Sequence, residues 1–154
     1  MAESRITFGE WLPDQPGVSG VLTEALNVYP VGSGYAPFPS MQELSDAASE
    51  DLNNVFAGKF TGTTVLFAGG ASKLFKYDAS NLDLVDVSKV GGYATSGRWF
   101  FTQFGKTVLA ANNSDKIQAW TIGSSTAFAD VNASAPVAKF VTVVRDFVVA
   151  ANTA

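Results

Sequence analysis

The sequence contains no cysteine and no histidine. That excludes disulfides, thiolate nucleophiles, Cys/His zinc sites and every triad built on a histidine base. Charge is sparse too, with 16% charged residues against 47% hydrophobic ones, too apolar a mixture for a disordered tail. No run approaches the roughly 20 apolar residues of a membrane-spanning helix. The opening Met1-Ala2-Glu3-Ser4-Arg5 lacks the basic region and apolar stretch of a secretory signal. A net charge of -4 argues against a general nucleic-acid footprint. The 154 residues suffice for one ordinary domain and are too few for two.

The charge is unevenly placed. Residues 1–55 hold eight acids against Arg5 alone, whereas residues 56–154 hold nine bases against six acids. An acidic segment beside a mildly basic one can dock on it or seek a basic neighbour, although solvated surface on both parts accounts for the same pattern. The first forty residues also hold Pro13, Pro16, Pro30, Pro37 and Pro39 together with Gly9, Gly17, Gly20, Gly32 and Gly34. Proline removes a backbone donor and glycine admits positive φ, so turns and short extended pieces are expected. Large apolar residues are interspersed among them: Trp11, Leu12, Tyr29, Tyr35 and Phe38. We read residues 1–55 as an irregular arm that buries these five side chains at intervals as interface anchors. Ser40 and Glu43 have capping-box spacing, which allows a short helix within 40–55, although its apolar face would be thin.

From about residue 56 the pattern becomes β-rich. Apolar runs at 65–68, 73–77, 99–104, 108–111, 117–122, 140–144 and 147–150 are separated by turn residues. The runs repeat. Gly62-Thr63-Thr64-Val65-Leu66-Phe67-Ala68 can be laid over Gly105-Lys106-Thr107-Val108-Leu109-Ala110-Ala111, an offset of 43. The same offset sets Lys73-Leu74 on Lys116-Ile117 and Tyr77 on Trp120, and one inserted residue sets Asp86-Val87 on Asp130-Val131. A third copy, Val148-Val149-Ala150-Ala151-Asn152, matches Val108–Asn112 at an offset of 40, which also places Phe140 on Phe100. A period of about 40–45 residues with four strands per unit is the propeller-blade signature, because one blade cannot bury both faces alone. The expected fold is therefore all-β, with propeller-like blades of about four antiparallel strands at 56–98 and 99–138 and an incomplete one at 139–154. A closed propeller takes 4–8 blades, so further chain or other chains are expected to complete the structure.

No residue emerges as catalytic, cofactor-binding or metal-ligating. Asp78-Ala79-Ser80-Asn81-Leu82-Asp83 spaces oxygen ligands but lacks the glycine and bidentate glutamate of a calcium loop, so a polar hairpin turn is the better reading. Gly69-Gly70-Ala71-Ser72-Lys73 has the wrong glycine spacing for a phosphate loop. Asn112-Asn113-Ser114 and Asn132-Ala133-Ser134 read as turns. Lys73, Lys76, Arg98, Lys106 and Lys116 interleave with Phe75, Tyr77, Trp99 and Trp120 in a manner that can stack nucleic-acid bases, but filling inter-blade cores is the commoner use of such aromatics.

Several segments in order resemble a known family. They are Gly9-Glu10-Trp11-Leu12-Pro13-Asp14, Ala25-Leu26-Asn27-Val28-Tyr29-Pro30 and Gly34-Tyr35-Ala36-Pro37-Phe38-Pro39 in the arm, followed by Gly70-Ala71-Ser72-Lys73-Leu74-Phe75 and Val144-Arg145-Asp146-Phe147-Val148-Val149. This order resembles the first part of the tail-hub, or tail-nozzle, proteins of short-tailed bacteriophages, also called packaged-DNA stabilisation proteins. The resemblance implies a structural virion protein below the portal, made in the bacterial cytoplasm and assembled into the phage tail. It further implies a homo-oligomeric, six-fold ring contacting portal, adaptor or other tail proteins, passing DNA without sequence-specific contact, and no enzymatic activity or cofactor. The competing expectation is a propeller-like module that binds a glycan or peptide on exposed Trp99 or Trp120. A carboxylate-dependent enzyme fragment has no sequence feature in its favour.

Overall fold

The computed structural model describes residues 9–14, 20–32, 34–40, 42–94 and 97–154. Parts of the expected arm, including Arg5 and residues 15–19, lie outside them. Every sheet among the described residues is antiparallel, and no helix occurs there. The all-β, propeller-like architecture is the one expected: two four-stranded blades and half of a third, preceded by an arm. Residues 1–42 and residues 43–154 form separate compact units.

The arm is more regular than its composition suggests. Strands β1 (Val28–Val31) and β2 (Gly34–Pro37) pair as a hairpin, with Gly32 at φ 48° entering the turn. Proline is tolerated here because each strand of a two-stranded sheet has a free edge. The short helix allowed by Ser40 and Glu43 does not form; residues 42–53 carry no regular element. Tertiary bonds outweigh the thin helical face. The Glu50 carboxylate accepts from the Ser72 backbone N–H at 2.9 Å and from its hydroxyl at 2.8 Å. The Asn53 amide donates to the carbonyls of Gly70 and Gly97 at 3.1 and 2.7 Å.

The first blade runs in sequence order through β3 (Asn54–Phe60), β4 (Thr63–Gly69), β5 (Leu74–Asp78) and β6 (Asp83–Asp86). The second runs through β7 (Phe100–Phe104), β8 (Thr107–Ala111), β9 (Gln118–Thr121) and β10 (Ala129–Asp130). The half-blade is the hairpin of β11 (Ala138–Val144) and β12 (Phe147–Thr153). Each unit opens with a two-residue hairpin loop: Thr61-Gly62, Gly105-Lys106 and Arg145-Asp146. The first residue of each has positive φ (46°, 57° and 54°), as tight turns matched to strand twist require.

These turns correct the repeat alignment. Equating them sets the first two blades 44 residues apart through β4 and β8, whereas the sequence match used 43. The slip matters because one residue exchanges the two faces of a strand. At 44, Val65 and Phe67 take the positions of Leu109 and Ala111, all facing the following blade, while Leu66 takes the position of Ala110 and faces backwards. Contacts agree: Phe67 and Ala110 share the core between the first two blades, and Leu109 and Ala111 share the core beneath the half-blade. The remaining matches hold. Val87 N–H donates to the Leu74 carbonyl at 2.8 Å, and its counterpart Val131 donates to that of Ile117 at 2.9 Å. Phe100 and Phe140, matched at 40, meet edge to face at 4.7 Å.

The core between the two full blades is aromatic. Phe67, Trp120 and Phe128 pack at centroid distances of 5.2–5.4 Å, and Tyr93 meets Trp99 at 4.8 Å. Trp99 is wholly buried and its indole N–H donates to the Gly70 carbonyl at 2.9 Å. Gly69 makes room for this ring, since a Cβ there would lie 2.5 Å from Trp99 Cδ1. On the first strands of the two blades, Phe56 stacks on Phe101 at 5.7 Å. The Gln103 carboxamide grips the main chain of Lys59, accepting from its N–H at 2.9 Å and donating to its carbonyl at 2.7 Å.

Candidate interaction surfaces

The five arm anchors do not converge on one spot. Trp11 lies on a short ladder with Leu22, where Leu12 N–H donates to the Leu22 carbonyl and Leu22 N–H donates to that of Glu10, both at 3.0 Å. Trp11 is exposed and Leu12 half-buried. Tyr29 and Phe38 come together edge to face at 5.9 Å, and both rings are exposed. Cross-strand register places Tyr35 on the other face of the hairpin, with Val28 and Pro37. There its hydroxyl donates to the Gly9 carbonyl at 3.4 Å, and it lines an apolar cleft of about 340 Å³ with Leu22, Leu26, Val28 and Pro37. The arm therefore offers an aromatic pair, a ring in a cleft on the other face of the hairpin, and an exposed indole on the ladder with Leu22.

In the blade unit, the residues singled out as turns are turns. The Asp78 carboxylate is occupied by the Ser80 N–H and the Asn81 amide, both at 2.9 Å. Asn112 accepts from the N–H groups of Ser114 and Asp115, and Asn132 from that of Ser134. Trp99 and Trp120 are buried, so the expected exposed tryptophan platform does not exist. Burial of Phe75 likewise removes it from base stacking. Three of the five basic residues named with these rings are engaged within the blades. Lys73 pairs with Asp86 at 3.2 Å, Lys76 lies over Trp120 at 5.9 Å, and Lys116 donates to the Ala133 carbonyl at 2.6 Å. Inter-blade packing claims the aromatics because a blade has no other way to bury its faces.

A polar network that the sequence did not single out bridges the full blades. Lys89, just after β6, reaches Asp115 and Asp130 of the second blade at 3.3 Å each. Gln118, fully buried on β9, donates to Asp130 and to the Lys116 carbonyl at 2.7 Å each and accepts from the Tyr93 hydroxyl at 3.3 Å. The Gln118 hydrogen bond, helped by Lys89, holds the Asp130 carboxyl below its ordinary range. At Asp86, burial works against ionisation, but hydrogen bonds from Ser88 and Lys73 outweigh it and the pKa is lowered. Burial pushes the Tyr93 phenol well above its ordinary value. The network's polar groups bond one another and nearby main chain, and the Lys89 and Tyr93 contacts tie the end of the first blade to the second. A lone glutamine beside Ile117 was the only sequence signal.

An apolar opening lies on the first blade, on the face turned away from the second. Leu44, Leu52, Val55, Leu66, Tyr77 and Leu84 border a cleft of about 350 Å³ there. At the other end of the stack, β12 has a partner on one edge only. No helix of the described residues is long and apolar enough to cross a membrane, and no cluster of acidic side chains among them has metal-binding geometry. No protein-family model matches this chain, and neither does any curated protein.

Proposed function

We propose that this chain is a structural subunit of a short-tailed phage tail, a hub or nozzle component below the portal whose work is assembly and not chemistry. The observation that carries the reading is the pairing of an arm rich in exposed aromatics with propeller-like blades that carry exposed apolar residues such as Val55 and Leu66. That combination suits a part held between neighbours. It accompanies the ordered motifs that resemble tail-hub proteins, from Gly9-Glu10-Trp11-Leu12 through Arg145-Asp146-Phe147-Val148. In this reading Trp11, Tyr29 and Phe38 anchor the arm on an adjoining portal or tail protein, as exposed aromatics do at hot spots. The acids of residues 1–55 favour a basic neighbour, or leave a channel wall that DNA phosphates do not adhere to. The chain is made in the host cytoplasm and ends in the virion as part of a ring that helps retain packaged DNA.

Peptide mapping of purified virions, or of particles induced from a prophage host, tests the reading. Peptides of this chain at fixed stoichiometry with portal protein are expected, and their absence from particles refutes the assignment. Deleting residues 1–40 should abolish incorporation; normal incorporation of the shortened chain would remove the docking role of the arm.

A further inference from the structure

The two joints of the blade unit differ at one matched place. In the first, Trp99 fills the slot beside Gly69 and Gly70, packs on Tyr93 and bonds the Gly70 carbonyl. The offset of 40 that matches Phe100 with Phe140 sets Trp99 on Lys139. The Gly69-Gly70 step corresponds to Asn113, whose Cβ is the atom that the first slot cannot hold beside an indole. The connection into the half-blade spans only 131–137, against 87–99 for the one before it, and has no aromatic counterpart of Tyr93. A cation therefore takes the packing position. Beside it remains a cleft of about 390 Å³, with Gly97, Arg98, Phe100, Asn113, Ser114 and Lys139 in its lining. Both walls belong to this chain, since Arg98 precedes β7 and Lys139 lies on β11.

The cleft is cationic. The Arg98 guanidinium lies 6.0 Å from the Phe100 ring centre and the Lys139 ammonium 5.3 Å from that of Phe140, and the two rings meet at 4.7 Å. Ion pairs among the described residues join Lys73 to Asp86 and Lys89 to Asp115 and Asp130, so neither Arg98 nor Lys139 meets a carboxylate there. No acid among the described residues lines the cleft. The polar cleft on the first blade is the opposite case: Lys73 and Lys89 both line it, and each is paired with an acid. We propose that the Arg98/Lys139 cleft binds a dianionic phosphate group, as inorganic phosphate or at the end of a small phosphomonoester. Two cations with no acid between them match two negative charges. The guanidinium offers a planar fork of N–H donors and the ammonium three rotatable ones, and both form charge-assisted bonds to phosphate oxygens. Phe100 gives the rest of an ester an apolar wall, and the volume is in the range of small-molecule sites. A carboxylate or a phosphodiester carries one charge per group and leaves one cation unanswered. The proposal rests on the second joint alone and is independent of the virion reading.

Amide NMR of the full chain is the test, at constant ionic strength and about pH 8, where a phosphomonoester with its second pKa near 6 is dianionic. The probes are inorganic phosphate, glycerol 3-phosphate, acetate and a short single-stranded thymidine oligonucleotide. Both phosphate compounds should give saturable shifts confined to the amides around Gly97, Asn113, Ser114 and Lys139. Tighter binding of glycerol 3-phosphate identifies the ester as the ligand, and equal binding identifies the free ion. Arg98→Gln and Lys139→Met should each weaken binding by roughly 10- to 100-fold, as loss of a hydrogen bond to a charged group does. Lys59→Met removes the same charge outside the cleft and should leave binding unchanged. No shifts, shifts spread over every basic residue, or acetate binding as tightly as phosphate would overturn the proposal. So would an oligonucleotide that binds these residues more tightly than glycerol 3-phosphate. The same spectra report folding, and if Lys139→Met alters the whole pattern, Lys139→Gln repeats the measurement.

Discussion

The two interfaces inside the blade unit are built from different materials. Between the full blades lie Trp99, Trp120, Phe67 and Phe128, with the network of Lys89, Asp115, Asp130, Gln118 and Tyr93 alongside. Beneath the half-blade lie Leu109, Ala111, Ile117, Ala138 and Val141, together with the Phe100–Phe140 edge-to-face pair and, among the described residues, no ion pair. The same sheet geometry thus carries a buried aromatic joint with a polar network in one place and a largely aliphatic joint with one half-exposed aromatic pair in the other. Blade stacking therefore needs only complementary apolar faces, and the ion pairs between blades are found where the two complete blades meet. The aromatic joint should accordingly govern global unfolding, and the aliphatic joint local undocking of the hairpin.

Removing the largest element of the aromatic joint should have the largest effect. Trp99→Ala is expected to cost about 3–5 kcal/mol, because it empties a fully enclosed site and removes one of the two donors to the Gly70 carbonyl, leaving only Asn53. The midpoint of urea unfolding reads this directly. Leu109→Ala tests the aliphatic joint and should cost about 2–3 kcal/mol, with faster hydrogen exchange confined to β11 and β12. Equal acceleration throughout the chain would show that the two joints act as one. Gly69→Ala is expected to lose about 1–3 kcal/mol through overpacking, since the added methyl meets the enclosed Trp99 ring. A calorimetric scan would register it, and an unchanged transition would mean that the indole can shift.

A smaller effect is expected from the polar device. The Asp130 carboxyl sits below its ordinary value in the folded chain, so it contributes stability above the unfolded value of 3.8. That contribution disappears as pH falls through the lower folded value. Asp130→Asn should therefore be less stable than the wild type at pH 6 and lose part of that deficit below pH 3.8, in denaturant titrations at both pH values. The smallest change expected is a gain. Arg145 opens its turn at φ 54°, where Gly105 stands in the second blade. Arg145→Gly should raise stability by about 0.5–1 kcal/mol by relieving a left-handed conformation, visible as a higher melting temperature.

The strands and their period were legible because apolar runs, two-residue turns and glycine punctuation are local features. Val65–Ala68, Val108–Ala111 and Phe147–Ala150 all lie within observed strands. The face each residue occupies was not legible. Gly62 and Gly105 look equivalent in sequence, but one is the second residue of its turn and the other the first, and that single position exchanges the faces of β4 and β8. The hairpin in the arm was hidden by its prolines, which a two-stranded sheet accepts. The helix expected near Ser40 lost to the bonds that Glu50 and Asn53 make with the first blade, partners about 20 residues or more away. The Lys89 network escaped for the same reason, since its members come from segments spread over more than 40 residues. Of the site, the arm aromatics were visible as residue types, but their division among faces follows from the register of β1 and β2.

The Gln103 grip on Lys59 has a consequence for misassembly. A carboxamide carries the same donor and acceptor as a peptide unit, so Gln103 stands where a residue of an incoming strand would pair with the free edge of β3. That edge is plugged by a side chain of the same molecule and cannot easily template amyloid-like growth. The free edge of β12 has no such plug among the described residues, and its sequence, Phe147-Val148-Val149-Ala150-Ala151, is apolar and free of charge and proline. A strand of that composition, where it is left unpaired, is a segment from which fibrillation is expected to start.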